Sequence, residues 1–460
     1  MHTYGEMGRG RGLIWIAGIL AASTAWALPK DAPAKDGEPP RAQIVADASL
    51  PVLADHATDA EPAEDDEADD ESDDGDDDDP GTGGAGSAAR EQAQRSDRRQ
   101  LDALGVPLIS YNSDLGVGFG AVGGGYYYSP GYTPYRHALA AQIFLTTRGI
   151  QNHWLRYDGP NLIGKLRVEV RAEYRRELYA PFYGIGNESV ALPKLETRGG
   201  ADQNNSYDYF FPGGWVRVRG RPWKQHPQFE VWGGYGYHWI RIDQYAGSAL
   251  TLTNPLGVKG GNNGQIFVGA LWDTRDNETD PSRGSIQEIA LRGAAGPTVS
   301  DYTWAGLTLV DRHFFSLGTP KLIFAQRVMF DALKGAAPFF EWSQFGGLTG
   351  GEGIGGMSSV RGVLRNRFQG KVKLVSNSEL RWYPIEFKLF HETTRVGGLL
   401  FFDAGRVWHE GVDDGPFWRW HPGIGAGLRL VRRAAVLRAD FGFSTETWDP
   451  GIYLTFGHMY

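Results

Sequence analysis

The sequence predicts an all-β fold: a transmembrane antiparallel β-barrel of about sixteen strands, with a long loop between strands 11 and 12 folded into the lumen. Three observations carry that prediction. From about residue 105 to 460, apolar and polar residues alternate with a period of two, the spacing at which a strand presents its two faces. Nothing in that span has a helical period or a run of about 20 apolar residues. The connections also tend to be short and long in turn, as periplasmic turns and outer loops are.

Composition agrees. The 460 residues include 64 glycines, 15 Trp and 20 Tyr, and aromatics make up 13%, which suits an all-β protein with interfacial rings. There is no cysteine, so disulfides and thiolate metal sites are excluded. The net charge of -9 comes mostly from one acidic run. The remaining body is near neutral or slightly basic and gives no argument for nucleic acid.

Residues 1–27 read as a secretory signal. Arg9 and Arg11 form the basic segment, Leu13 to Leu20 the apolar core, and Ala25-Trp26-Ala27 the cleavage site. The apolar run is too short to be a comfortable membrane anchor. Residues 28–104 read as a disordered periplasmic linker with an acidic run from Glu64 to Asp79, because such a block repels itself and cannot bury a core. Loose Ca²⁺ binding is the alternative, but the run lacks the ordered ligand and glycine spacing of a calcium loop.

The barrel is expected over residues 105–460, with strands near 106–112, 116–128, 136–148, 151–161, 165–181, 207–220, 228–243, 263–275, 284–295, 300–316, 321–333, 370–384, 395–408, 421–432, 434–444 and 451–460. The cleanest alternation sets Leu166, Val168, Val170, Ala172 and Tyr174 against Lys165, Arg167, Glu169, Arg171 and Glu173. In a membrane barrel the apolar set meets lipid and the charged set lines the lumen. Ile452, Leu454, Phe456 and Tyr460 are expected on one face of the last strand. The first strand reads as short, so the seam it forms with the last should be weak.

The stretch from Gly347 to Gly370 is too glycine-rich for a helix or long strand and too long for a tight turn; such loops are usually functional. At its heart lie Val360, Arg361, Gly362 and Val363. Arg361 carries a permanent charge. Inside a barrel it needs a carboxylate, preferably bound bidentately. Glu379 and Asp403, on neighbouring strands, are the candidates. A side chain pointing to water from a mobile loop is the alternative.

Several motifs then make a joint resemblance. Val360-Arg361-Gly362-Val363 resembles the Val-Arg-Gly-aromatic loop motif of the BamA/TamA-like outer-membrane assembly and translocation superfamily, the bacterial surface antigen family, with Val at the fourth position. Ser378 to Pro384 resembles that family's twelfth strand, and Phe402 to Trp408 its thirteenth. Asp273-Thr274-Arg275-Asp276 with Pro281 and Arg283-Gly284 resembles its turn between the eighth and ninth strands. Phe182 to Asn187 resembles a motif of members without N-terminal repeats.

The resemblance implies a bacterial outer-membrane protein that aids insertion or transport of protein or lipid through a lateral seam. The implied partners are outer-membrane lipids, a protein or lipid cargo, and the barrel-assembly machinery during biogenesis. Phe456 and Tyr460 end the chain in a way that resembles the targeting signal this machinery reads. Residues 28–104 leave no room for several periplasmic repeats, so a structural or passive-pore barrel is the alternative. A lipid-acting enzyme is a third reading. Glu379, Asp403 and Asp440 could serve as acid and base, but lumen charges are more often ion-paired. The 11 histidines are scattered and no Gly-x-Ser-x-Gly elbow occurs. No catalytic residue, metal site or cofactor is expected.

Overall fold

Period-two patterning becomes one closed sheet. The structure, a computed structural model, describes residues 99–132, 134–197, 200–389, 392–432, 435–445 and 450–460. The expected signal segment and most of the expected linker lie outside these residues.

The strands are β1 Gln100–Asn112, β2 Gly116–Tyr128, β3 His137–Thr146, β4 Ile150–Ile163, β5 Leu166–Pro181, β6 Ser206–Phe210, β7 Gly213–Gly220, β8 Phe229–Gln244, β9 Gly261–Asp273, β10 Gly284–Ala294, β11 Trp304–Ser316, β12 Leu322–Gly335, β13 Val372–Leu389, β14 Glu392–Trp408, β15 His421–Arg432, β16 Ala435–Ser444 and β17 Gly451–Phe456. Consecutive neighbours pair antiparallel, and β1 closes on β17. β6 and β7 both lie between β5 and β8, so these seventeen strands fill sixteen positions of an antiparallel barrel.

The break between β6 and β7 falls at Phe211-Pro212, where proline has no N–H for the ladder. Two other elements depart from the sequence expectation. β1 starts at Gln100 and pairs with β2 over its full length, so the first strand is long rather than short. β17 stops at Phe456, so Tyr460 does not share a strand face with Ile452, Leu454 and Phe456. Gly457 takes a positive φ of 83°, and the chain turns into the lumen. There the Tyr460 ring packs with Phe314, Ala325 and Met459. Its hydroxyl donates to the Ala325 and Asn377 carbonyls at 3.1 and 3.2 Å.

The outer face is apolar over most of its area, with Leu139, Ile143, Val268, Leu400, Phe402, Leu428 and Trp382 exposed. These side chains meet lipid. Residues 336–371 lie against the inner wall, and the barrel end that carries the long connections is capped by two short helices, α1 Ala249–Thr253 and α2 Phe339–Trp342. Phe339, Phe340 and Trp342 pack there with Phe182, Tyr207, Tyr209 and Leu250. That cluster explains how the long loop is held without strands of its own: apolar burial anchors its first turn.

Candidate functional site: the luminal loop and the strand seam

The loop descends from α2 and lies against the inner wall. Val360 and Val363 are buried in a cluster with Val310, Met329, Ile354, Phe368, Val375 and Val407, which fixes the backbone on either side of Arg361. Gly362 has a φ of 91°, a conformation costly for residues with a Cβ. Its N–H donates to the Tyr453 hydroxyl on β17 at 3.1 Å. The wall is thinned where the loop touches it: a Cβ at Gly423 on β15 would stand 2.0 Å from the Arg361 carbonyl oxygen.

Arg361 is fully buried. Its Nε and Nη2 donate to the two oxygens of Asp403 at 2.8 and 3.1 Å, the bidentate fork that only arginine provides. Its Nη1 donates to Glu379 Oε1 at 2.7 Å and to Asp440 Oδ2 at 3.0 Å. The Arg361 guanidinium carbon lies 3.6 Å from the centroid of the Phe401 ring. Burial alone would lower the Arg361 pKa, but Asp403, Glu379 and Asp440 hold it well above the ordinary value.

The three carboxylates are shared. Glu379 also accepts from Arg381 Nε at 2.8 Å, Asp440 from Arg429 Nη1 at 2.5 Å, and Asp403 from Asn377 Nδ2 at 2.8 Å. The structure thus brings Arg361, Glu379 and Asp403 together and adds residues that sequence reasoning did not place in the site. Asp440, Arg381 and Arg429 carried a faint signal, as charges at inward positions of alternating strands. Tyr453 and Phe401 carried none, since an aromatic on a barrel strand reads equally well as lumen or lipid.

Further ties run round the lumen. Arg365 forks onto Glu177 of β5 at 2.8 and 3.1 Å. Arg327 of β12 donates to the Ser358 carbonyl at 2.7 Å. From outside, the 182–187 segment closes over the loop: Gly186 N–H donates to the Gln369 carbonyl at 2.8 Å. Asn187 N–H donates to Asp414 Oδ1 at 2.9 Å, and Asn187 Oδ1 accepts from the Val407 N–H at 3.2 Å.

The seam is the second part of the site. Among the described residues, β1 and β17 share the partners Tyr111↔Leu454 and Asn112↔Tyr453, and just beyond them the Ser113 N–H donates to the Ile452 carbonyl at 3.0 Å, whereas β1 and β2 pair from Gln100 to Asn112. Among the described residues, the edge of β1 from Gln100 to Ser110 that faces away from β2 has no partner strand. The tail that follows β17 is held inside instead: Arg381 Nη2 donates to the Tyr460 carbonyl at 3.0 Å, and His458 Nε2 lies 2.9 Å from Asp280 Oδ1. Asp280, on the turn between β9 and β10, also pairs with Arg395 of β14.

The family model of the Omp85 superfamily domain matches residues 166–458. The chain belongs to the Omp85 superfamily. Among solved structures, this Omp85 chain is similar to BamA from Haemophilus ducreyi lacking POTRA domains 1-3, at 13% identity, with 78% of this chain and 69% of that one covered and a TM-score of 0.53. It is likewise similar to CdiB from Escherichia coli, at 11% identity, with 80% and 69% covered and a TM-score of 0.52. At these identities the likeness is one of fold. No curated protein matches the chain. Family membership and barrel architecture make it an outer-membrane protein.

Proposed function

We propose that this Omp85 barrel assists the insertion or transport of protein or lipid at the outer membrane by opening sideways between β1 and β17. The observation that supports the reading most is the seam, with two partner pairs and a free β1 edge. An unpaired edge offers backbone donors and acceptors to an incoming chain. The luminal loop is tied to β17 through Gly362 and Tyr453, so the Arg361 clamp and the seam act on the same strand. Arg361 with Glu379 and Asp403 serves as a structural lock in this reading. Phe456 and Tyr460 serve as the signal for the barrel's own assembly.

The passive-pore reading has less support, because residues 336–371 lie against the inner wall and the 182–187 segment closes over them. An enzyme reading has less still: Glu379, Asp403 and Asp440 are all engaged by arginines. The deciding experiment uses a strain lacking the chain, complemented with Tyr111→Cys/Leu454→Cys. The two positions are direct partners. Changes in the outer-membrane proteome or in lipid asymmetry should be corrected by the reduced protein and not by the oxidised one. Equal correction by both would rule out lateral passage.

A further inference from the structure

The lipid-facing wall of β10 to β13 carries a patch that does not suit lipid. One cross-strand row reads Ser285, His313, Gln326, Ser378, and the row above reads Gln287, Asp311, Val328, Ser376. Seven of these eight outward positions are polar. The next row up is Ile289, Leu309, Phe330 and Leu374, and the next row down is Phe315, Phe324 and Leu380. On β11 to β13 the patch thus sits inside the apolar belt, in the half nearer the short β11–β12 turn.

Its groups already bond along the surface. Gln287 Nε2 donates to Asp311 Oδ1 at 3.0 Å, and His313 Nε2 lies 3.0 Å from the same oxygen. Ser378 donates to Gln326 Oε1 at 2.6 Å, and Gln326 Nε2 donates to Ser376 at 3.0 Å. The Asp311 and His313 side chains nevertheless stay 49% and 40% exposed. Ionisable groups that face hydrocarbon are costly and mark function or an interface. Polar side chains at that depth bond across contacts between membrane segments.

We propose that this face binds a second copy of the chain. Two copies in one bilayer share orientation and depth, so a two-fold axis along the membrane normal brings identical patches level. A self-complementary surface is what such an axis demands. The patch meets that demand, since the Asp311 carboxylate accepts while His313, the three serines and the two amides can donate. A phospholipid headgroup fits less well, because on β11 to β13 the apolar row Phe315–Phe324–Leu380, and on β12 and β13 the further row Leu322–Trp382, lie between the patch and the strand ends. β14, β15 and β16 lie between the patch and β17, so the paired copies keep both seams open to lipid.

The chain has no cysteine, so single reporters are clean. Gln287→Cys, Val328→Cys and Ser376→Cys, each alone in the full chain, are treated in native membranes with a short thiol-to-thiol crosslinker. Leu139→Cys on β3 is the control, with a side chain at least as exposed as those of the reporters. At least one patch reporter should give a product of twice the chain mass, several-fold above the control. Adding Asp311→Leu and Gln326→Leu should reduce that product several-fold while the barrel still runs as a folded species on an unheated gel. A patch product no stronger than the control overturns the proposal. So does a product whose mass shows a different protein, or patch cysteines shielded only by copurified phospholipid.

Discussion

At the residue scale, Arg361 is the most consequential side chain. It is the common partner of carboxylates on β13, β14 and β16. Removing one member of a buried charge cluster strands the others, at a cost of roughly 3–5 kcal/mol. Arg361→Ala should therefore lower the unfolding temperature or the yield of assembled barrel. Arg361→Lys should recover only part, since a point charge cannot reproduce the fork onto Asp403. Asp403→Asn should resemble Arg361→Ala, which thermal gel-shift of purified variants would measure. His458 and Asp280, both outside the strands, make a pH prediction. Burial and the nearby Arg381 bring the His458 pKa down to about 4 from 6.5. Burial would raise Asp280, but His458 and Arg395 bring it to about 2 from 3.8. The unfolded chain takes up a proton near 6.5 and the folded one resists to about 4, so stability is full above 6.5 and falls across that window. Asp280 adds a further loss between 3.8 and 2. His458→Asn should flatten the upper window in unfolding temperatures taken on both sides of it. An unchanged slope would mean that His458 is not buried beside Arg381, since burial and Arg381 are what lower its pKa.

At the element scale, the loop and the last strand are one unit. Gly362 meets Tyr453, and a Cβ at Gly423 would stand 2.0 Å from the Arg361 carbonyl. Gly423→Ala should push the loop off β15 and loosen the Arg361 clamp, seen as faster proteolysis within 350–368 in the folded barrel. Tyr453→Phe removes one hydrogen bond without changing shape, worth about 1 kcal/mol. It should increase exchange of β17 amides more than those of β12, where pairing extends from Leu322 to Ala332. Equal exchange in both strands would show that the seam is no weaker than the rest of the sheet. The expectation of a weak seam rested on a short β1. The weakness lies in β17, which leaves the sheet after Phe456 because the luminal cluster of Phe314, Ala325 and Met459 takes the Tyr460 ring. No local pattern distinguishes an aromatic bound for lipid from one bound for that cluster.

At the scale of the whole molecule, residues 336–371 lie against the inner wall and are fastened at β5, β10, β12, β13, β14 and β16. Purified protein in a planar bilayer should conduct little at steady state. Deletion of residues 350–364 should open a large, steady conductance if the barrel wall stands without the loop. A large conductance in the unaltered protein would favour the passive-pore reading.

The sequence by itself determined the barrel. Alternation is a local property, written along each strand, and lipid on one side enforces it position by position. The number of positions was legible for the same reason, and the expectation that Arg361 needs carboxylates came from its permanent charge. Only the tertiary structure decided what depends on closure. Asp440, Arg429 and Tyr453 reach Arg361 and Gly362 because the sheet curls until β16 and β17 face the loop. The polar rows of β10 to β13 form one patch only when four strands take one register. The end of β17 was decided in the same way, by competition between two environments that meet only in the folded barrel. Lipid-facing pairing with β1 holds Ile452 and Leu454, and luminal packing behind Gly457 holds Tyr460.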